Sequence, residues 1–311
     1  MRFLITFTLF LAFSVFAVAQ DVYSRFYDAL QDKDSAAIEE SIKEIRSSGG
    51  QSAERIVAEY NYYVNKALIY SGVVTSSELP DNGNPTTDIL TIMDSNGNPA
   101  GYMYFAQQWD STCVDSGLAV INRGIVLYPD RLDLRFGKIH FLRQLFRWND
   151  YAQEIHAAID RSAVNNSRWI FPDNDEPGDT ILIYGVLDYE RSLFEHTWDQ
   201  PLNDTNTMNN LMLLRGIAEH MLQRYPKDVF SMNMMAVTYQ LVEDRQNALE
   251  WLKKAEKVNP KDIIVLQNIA DTYHELGNTR KERKYLKKII KYGSPEDIER
   301  AKQYIEELYN R

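Results

Sequence analysis

Apolar positions recur at intervals of three and four residues along most of the chain, which is the spacing of helices that bury one face. Three such stripes lie between Val22 and Leu68, and Gly49-Gly50 separates the second from the third. The spacing resumes over residues 118–127 and, after a turn at Pro129, over residues 134–159. Helices that alternate with short turns in this way are typical of an array of helical hairpins.

The pattern changes in the N-terminal half between residues 69 and 108. Residues 80–85 hold two prolines and a glycine among turn-forming residues, so this stretch predicts a loop. Ile89–Met93 and Tyr102–Phe105 have the composition of strands and flank a turn of Asp, Asn, Gly and Pro residues. We therefore predict a small β-hairpin near residues 88–107. A second interruption, at residues 165–179, predicts an acidic loop before a further helix.

The most regular repeat lies in the C-terminal third, where helical segments recur about every 34 residues. The first unit begins at Val229 and has Met232, Met235, Ala236, Tyr239, Ala248, Leu252, Ala255 and Pro260 at its key positions. The second begins at Ile263 and has Leu266, Ile269, Ala270, Tyr273, Leu286 and Ile289. In the second unit Glu282 stands where a small residue is usual. Both units resemble the tetratricopeptide repeat (TPR), in which two antiparallel helices pack through such positions.

The resemblance implies a fold that is mainly α, a TPR-like solenoid of helical hairpins with the small β-hairpin inserted in its N-terminal half. A half-repeat ending at Pro226 precedes the two units, and a closing helix follows Pro295. The expected organisation is a signal peptide at residues 1–19, a helical region with the hairpin at 20–165, an irregular connector with one helix at 166–206, and TPR-like repeats with a capping helix at 207–311.

TPR arrays usually bind extended peptides or partner helices on the concave surface lined by the first helix of each repeat. The resemblance implies the same role here, at exposed positions occupied by Asn233, Val237, Gln240, Gln267, Asp271 and His274. Asn and Gln side chains can pair with a peptide backbone. The alternative is that these residues form a solvated polar face without a partner.

One helix of the second unit carries a dense group of cations that a single acid, Glu282, interrupts. This basic patch consists of Arg280, Lys281, Arg283, Lys284, Lys287, Lys288 and Lys291. Its cations could meet an acidic partner, an anionic surface or the acidic N-terminal part of this chain. They could also form the solvated outer face of the helix.

The N-terminus has the pattern of a cleaved signal peptide. Arg2 precedes an apolar run over residues 3–16, and the small residues Ala17-Val18-Ala19 follow. We expect cleavage after Ala19 and export to the periplasm or the exterior. Cys113 is the single cysteine, so no disulfide can form within the chain, and a small core residue is the simpler interpretation of it.

The formal charge of −10 disfavours nucleic acid as a partner. Residues 20–226 carry 17 Lys and Arg against 30 Asp and Glu, whereas residues 227–311 carry 16 against 14, so the two parts should present different surfaces. No zinc-binding His spacing, phosphate loop or nucleophile elbow is present, and we predict no enzyme activity, cofactor or metal site. The alternative function is a small-molecule or glycan receptor, whose sugar-stacking rings would be Trp109, Trp148, Trp169, Phe171 and Trp198.

Overall fold

The computed structural model describes residues 20–78, 89–172, 178–198, 200 and 204–309. Within them the chain forms thirteen α-helices and one three-stranded sheet, which confirms a fold that is mainly α with a small β insertion. Three predicted features lie outside the described residues: the signal peptide at 1–19, the loop at 80–85 and the part of the acidic loop at 173–177. Among the described helices, none combines the length and the apolar composition that crossing a bilayer requires.

The described residues divide into two compact units, one running to Glu154 with residues 164–172 and 178–181, the other formed by residues 155–163 and those from 182 onward. The first unit holds α1 (Gln20–Asp32), α2 (Ser35–Ser47), α3 (Ala53–Ala67), β1 (Leu68–Ser76), β2 (Ile89–Met93), β3 (Pro99–Trp109), α4 (Ser111–Leu127) and α5 (Leu132–Gln144). Both units share α6 (Trp148–Val164) and α7 (Gly178–Thr197). The second holds α8 (Thr205–Arg224), α9 (Val229–Leu241), α10 (Arg245–Val258), α11 (Ile263–Glu275), α12 (Thr279–Tyr292) and α13 (Pro295–Tyr309).

Short polar side chains determine where several helices of the first unit begin. Asp34, Ser52 and Asp110 precede α2, α3 and α4, and each accepts hydrogen bonds from backbone N–H groups of the first turn. These donors have no partner inside the helix, so the caps stabilise its start. The predicted apolar stripes face inward, and Phe26 of α1 and Ile42 of α2 are fully buried in the same cluster.

Helices α3 and α4 pack closely because Gly124 has no side chain. A Cβ atom at this position would lie 2.7 Å from Cγ2 of Ile56 on α3. Beside this contact, Arg123 of α4 donates to Glu59 of α3 at 3.1 Å, and Arg55 donates to the same carboxylate at 2.9 Å. Apolar contact and a shared carboxylate therefore join the two helices between which the sheet is inserted.

The sheet has the strand order β1-β3-β2, and both pairings are antiparallel. Val73 of β1 lies opposite Phe105, and Leu90 of β2 lies opposite Met103. The β2–β3 pair confirms the predicted hairpin, and Asp94 N–H donates to the carbonyl of Asn98 at 2.8 Å to close its turn.

Strand β1 was not predicted, because the sequence pattern between residue 69 and the hairpin indicates a loop. Leu68–Ser76 continue directly from α3 and pair with β3. The paired residues at the base of this ladder, Leu68 and Trp109, lie far apart in the sequence. Local composition does not encode such a pairing, and Gly72 weakens the strand signal further.

In the second unit, α9 with α10 and α11 with α12 form two helical hairpins. Asp228, Asp244, Asp262 and Asn278 cap their four starts, and each side chain accepts from the backbone N–H three residues later. This regular capping accounts for the sharp helix boundaries that the repeat requires.

The positions that carry the TPR resemblance are packing positions in the structure. Those of the first unit that are buried are Met232, Met235, Ala236, Ala248, Leu252 and Ala255, and those of the second are Leu266, Ile269, Ala270, Tyr273, Leu286 and Ile289. Ala236 and Ala248 are both 0% exposed, because small residues let α9 and α10 approach each other. Glu282 also occupies its packing position and is only 2% exposed.

Candidate functional site

A groove of about 560 Å³ lies between α11, the first helix of the second repeat, and α13, the closing helix. Its lining residues are Ile263, Ile264, Gln267 and Asn268 of α11, Leu286 of α12, and Asp297, Arg300, Ala301, Gln303 and Tyr304 of α13. Leu286 and Ala301 are buried and form its base. Of the six residues that the resemblance implies for ligand binding, Gln267 is the one that lines this groove.

The wall on α11 presents an apolar side chain to solvent. Ile264 is 64% exposed, although its neighbours Val265 and Leu266 are buried in the core. Isolated exposed apolar residues are common, but one on a groove wall can anchor an apolar side chain of a ligand. Ile264 is not among the binding residues that the sequence predicts. A signal was present, because Val265 and Leu266 already supply the buried face of this turn.

Polar groups in and beside the groove are largely paired with each other. Gln267 Nε2 donates to Asp271 Oδ1 at 2.8 Å, and burial raises the pKa of the Asp271 carboxyl group. Arg300 donates to Asp297 Oδ1 at 2.8 Å, so the cation and the carboxylate on α13 offset each other. Asp297 and Arg300 are the two charged residues that line the groove. Because their charges offset each other, the groove has no net charge that would select a strongly charged ligand.

Two of the three predicted binding residues on α9, Asn233 and Gln240, bond to the next repeat. Asn233 was expected to be exposed, but it is only 7% exposed, and Asn268 Nδ2 donates to its Oδ1 at 2.7 Å. Gln240 Nε2 donates to Thr272 Oγ1 at 2.8 Å, and Val237 is half-buried. The structure therefore brings Asn233 and Gln240 against α11.

Of the three predicted residues on α11, Gln267 lines the groove and Asp271 is its hydrogen-bond partner. His274 lies at the end of α11, where its Nδ1 is 3.0 Å from Oε1 of the buried Glu282. Its ring also makes an edge contact with Tyr304, with centroids 5.9 Å apart. Glu282, which stands where the repeat pattern has a small residue, thus has a polar partner on the neighbouring helix.

The basic patch on α12 is exposed in most of its members. Arg280, Lys281, Lys284, Lys287 and Lys291 are exposed, while Arg283 and Lys288 are half-buried. Lys288 forms an ion pair with Glu256 of α10, and Lys281 lies over the Tyr273 ring at 4.9 Å. Lys281 and Lys288 therefore have partners within the repeats, although five of the seven cations are exposed.

Two histidines that are 64 positions apart in sequence meet in the second unit. His156 Nδ1 and His220 Nδ1 are 2.8 Å apart, and His220 Nε2 is 2.7 Å from Asp160 Oδ1. One Nδ1 must accept the shared proton, so the two rings cannot both be positively charged in this geometry. Burial, followed by the charge of His220, lowers the pKa of His156. The described residues contain no group of three or more His, Cys, Asp and Glu side chains suited to a metal ion.

The aromatic residues considered for sugar stacking have packing neighbours. Ring contacts join Trp109 to Phe141, Trp148 to Tyr151, Phe171 to Phe136 and Trp198 to Phe194. Trp148 is only 9% exposed. None of these four, nor Trp169, lines the groove between α11 and α13. Their positions give the glycan alternative no support.

No family model matches this chain, and no curated protein matches it. Its fold is similar to solved structures of TPR proteins. One is a thermophilic TPR protein of Thermus thermophilus, with 14% identity over 64% of this chain and 92% of that chain and a TM-score of 0.40. Another is a TPR protein from Parabacteroides merdae, with 9% identity, coverage of 89% and 80%, and a TM-score of 0.38.

A third similar structure is PilW, described as a widely conserved type IV pilus biogenesis factor. It shows 11% identity over 88% of this chain and 93% of that chain, with a TM-score of 0.37. Similarities of this size are too low to assign the chain to a family or to a function. The helical-hairpin fold is established by the helices and the buried positions themselves.

Proposed function

We propose that this chain is an exported scaffold or adaptor that binds an extended segment of a partner protein in the groove between α11 and α13. The observation that carries the proposal is the exposed Ile264 on the wall of this groove, beside the side-chain amides of Gln267 and Asn268. An apolar anchor next to amide groups suits a peptide, whose backbone needs donors and acceptors while one side chain seeks an apolar surface.

The groove also defines the chemistry of the segment. The two charged lining residues, Asp297 and Arg300, are paired with each other, so a near-neutral segment fits better than a strongly charged one. The segment should carry a large apolar residue that packs on Ile264 and reaches toward Leu286 at the base. The basic patch on α12 is not required for this contact.

Selection from a displayed library of random peptides tests the proposal, because it does not require a known partner. The purified chain without its first 19 residues should enrich peptides that contain a large apolar residue. Ile264→Lys should weaken the binding of these peptides by about tenfold or more, a loss of roughly 1.4 kcal/mol in binding free energy. Met212→Lys is the matched control, since Met212 of α8 is 69% exposed and does not line the groove. Peptides that bind both variants equally, or no enrichment, would count against the groove as the site.

Export belongs to the same proposal and rests on residues 1–19 of the sequence. Expression of the whole chain in a Gram-negative bacterium, followed by fractionation and mass spectrometry of the intact protein, tests it directly. The expected product is a periplasmic chain that begins at Gln20. A full-length product in the cytoplasm would contradict export but would leave the groove untouched.

A further inference from the structure

The three strands of the sheet contain no charged residue. They are 9, 5 and 11 residues long and consist of apolar, aromatic, small and neutral polar residues. The chain as a whole is 25% charged, with a net charge of −10, so this region is distinct from the rest of the surface. Two such sheets can meet without bringing like charges together.

The sheet also exposes much of its apolar surface. Nine of the 22 exposed large apolar side chains of the described residues lie on its strands: Leu68, Ile69, Tyr70, Val73, Ile89, Leu90, Ile92, Met93 and Phe105. Val73 is 62% exposed, Leu90 59% and Phe105 51%. A small sheet that exposes this many large apolar side chains marks an interaction surface.

Val73 and the residue opposite it, Phe105, project from the same face, since directly paired residues share a face of a sheet. Leu90 and its partner Met103 lie on that face too, because Met103 is two residues from Phe105 on β3. One side of the sheet thus presents an apolar row that runs from β2 across β3 to β1.

The outer edge of β1 is open. β1 is a terminal strand of the sheet, and within the described residues no strand pairs with its other side. Natural edge strands are usually protected by charges, prolines or bulges, and a long uncharged edge invites a further strand. The stretch Tyr70–Ser76 of β1 has no proline or charge, and its register with β3 is regular.

We propose that β1 pairs antiparallel with β1 of a second copy of this chain, so that the two sheets become one continuous sheet. An antiparallel pairing of two identical strands is self-complementary and satisfies two-fold symmetry. The absence of charged residues on the strands favours a second copy as the partner. In a chain with a net charge of −10, two copies can approach at this edge without repulsion. The row formed by Phe105 and Val73 then continues into the same row of the partner.

A lipid surface fits the sheet less well than a second copy does. The free end of the β2–β3 hairpin is the polar turn at Asp94, Asn96 and Asn98, where hydrogen bonds from the backbone N–H groups of Asn98 and Asn96 lower the pKa of Asp94. A carboxylate at the tip opposes insertion, and the strands offer no cation to anionic headgroups.

Analytical ultracentrifugation of the chain that begins at Gln20, over a range of concentrations, tests the proposal with three variants. The unmodified chain should form a dimer, and Val73→Lys should weaken it by about tenfold or more because it places a charge beside the pairing edge. Leu90→Lys, on the far strand, should leave the dimer intact. Val126→Lys is the matched control, since Val126 of α4 is 77% exposed and lies outside the sheet.

Hydrogen exchange gives a second measurement that reports on β1 itself. Amides of Leu68–Ser76 should exchange more slowly at high protein concentration than at low concentration, and Val73→Lys should remove this difference. Circular dichroism of each variant checks that the fold is kept. A chain that stays monomeric at about 100 μM, a concentration well above the dissociation constants of typical dimers, overturns the proposal.

Two further outcomes also overturn it. Equal loss of the dimer in Val73→Lys and Leu90→Lys would show that the sheets pack face to face rather than edge to edge. Sedimentation of a monomer with vesicles of phosphatidylglycerol and phosphatidylethanolamine, if Val73→Glu abolishes it, would show that the sheet binds lipid. Neither outcome bears on peptide binding at Ile264.

Discussion

Asn268 of α11 donates a hydrogen bond of 2.7 Å from its Nδ2 to Oδ1 of Asn233 on α9, the equivalent helix of the preceding repeat. Asn233 is only 7% exposed, so the bond satisfies an amide oxygen that has little access to water. The two residues are 35 positions apart, about one repeat length. The bond therefore joins one TPR-like unit to the next.

Asn268→Ala should lower the free energy of unfolding by about 1–3 kcal/mol, because the buried amide of Asn233 loses its partner. Urea denaturation followed by circular dichroism measures the change. The double variant Asn233→Ala, Asn268→Ala should lose less than the sum of the two single changes. Gln303→Ala, at an exposed position of α13, is the control. Its free energy of unfolding should stay within about 0.5 kcal/mol of that of the unmodified chain. Equal effects of Asn268→Ala and Gln303→Ala would show that the bond does not contribute.

Sequence alone predicts the packing of the repeats well, because burial imposes a periodic pattern on each helix. Ala236 and Ala248 were placed at close helix contacts, and both are fully buried. The same pattern does not distinguish a polar side chain that faces solvent from one that faces the next repeat. The TPR resemblance implies a ligand-binding role for Asn233 and Gln240, although both bond to α11.

Features formed by residues distant in the sequence could not be predicted. β1 is a strand because it pairs with β3, and its own residues include a glycine and serines that favour turns. Nothing in the sequence around His156 or His220 indicates that the two side chains meet. The groove likewise depends on how α13 packs beside α11, which places Ile264 on its wall.

Gly124→Ala should destabilise the first unit by about 1–3 kcal/mol, since the added methyl group would overlap Ile56 of α3. The unfolding free energy in urea measures the effect. Gly216→Ala on α8 is the matched control with the opposite sign. Its Cβ would meet no atom closer than 3.8 Å, at His156 Nε2, and alanine favours a helix by up to about 1 kcal/mol. A neutral result at Gly124 would mean that α3 and α4 separate easily.

His140 should make the protein less stable in mild acid. Burial and the neighbouring charge of Arg143 lower the pKa of His140 to about 4, from about 6.5 in an unfolded chain. Between these values the unfolded chain binds the proton and the folded chain does not, so the free energy of unfolding falls as the pH drops. From about pH 7.5 to about pH 5 this loss is up to about 2 kcal/mol.

His140→Gln isolates this contribution, because glutamine can still accept a hydrogen bond from Arg143 but does not titrate. Urea unfolding at the two pH values should show a smaller loss of stability in the variant than in the unmodified chain. Parallel pH dependence of the two proteins would show that His140 keeps an ordinary pKa in the folded state.

Glu190 of α7 should make the protein less stable as the pH rises, which is the opposite of the effect of His140. It is 0% exposed, and neither carboxyl oxygen has a hydrogen-bond partner among the described residues. Burial, followed by the charge of Asp228, raises the pKa of Glu190 well above its ordinary value. The folded chain therefore keeps a proton that the unfolded chain releases above about pH 4.5, and the free energy of unfolding falls as the pH rises through this range.

Glu190→Leu removes the titrating group at nearly the same volume and should raise the thermal midpoint at about pH 8 by about 2 °C or more. The gain should be smaller at about pH 5, where the unfolded carboxyl group is itself partly protonated. Glu190→Gln keeps a polar group without a charge. Its stability should also depend less on pH than that of the unmodified chain, even if its absolute stability is lower. An equal gain or loss at both pH values in both variants would mean that Glu190 is not protonated on folding.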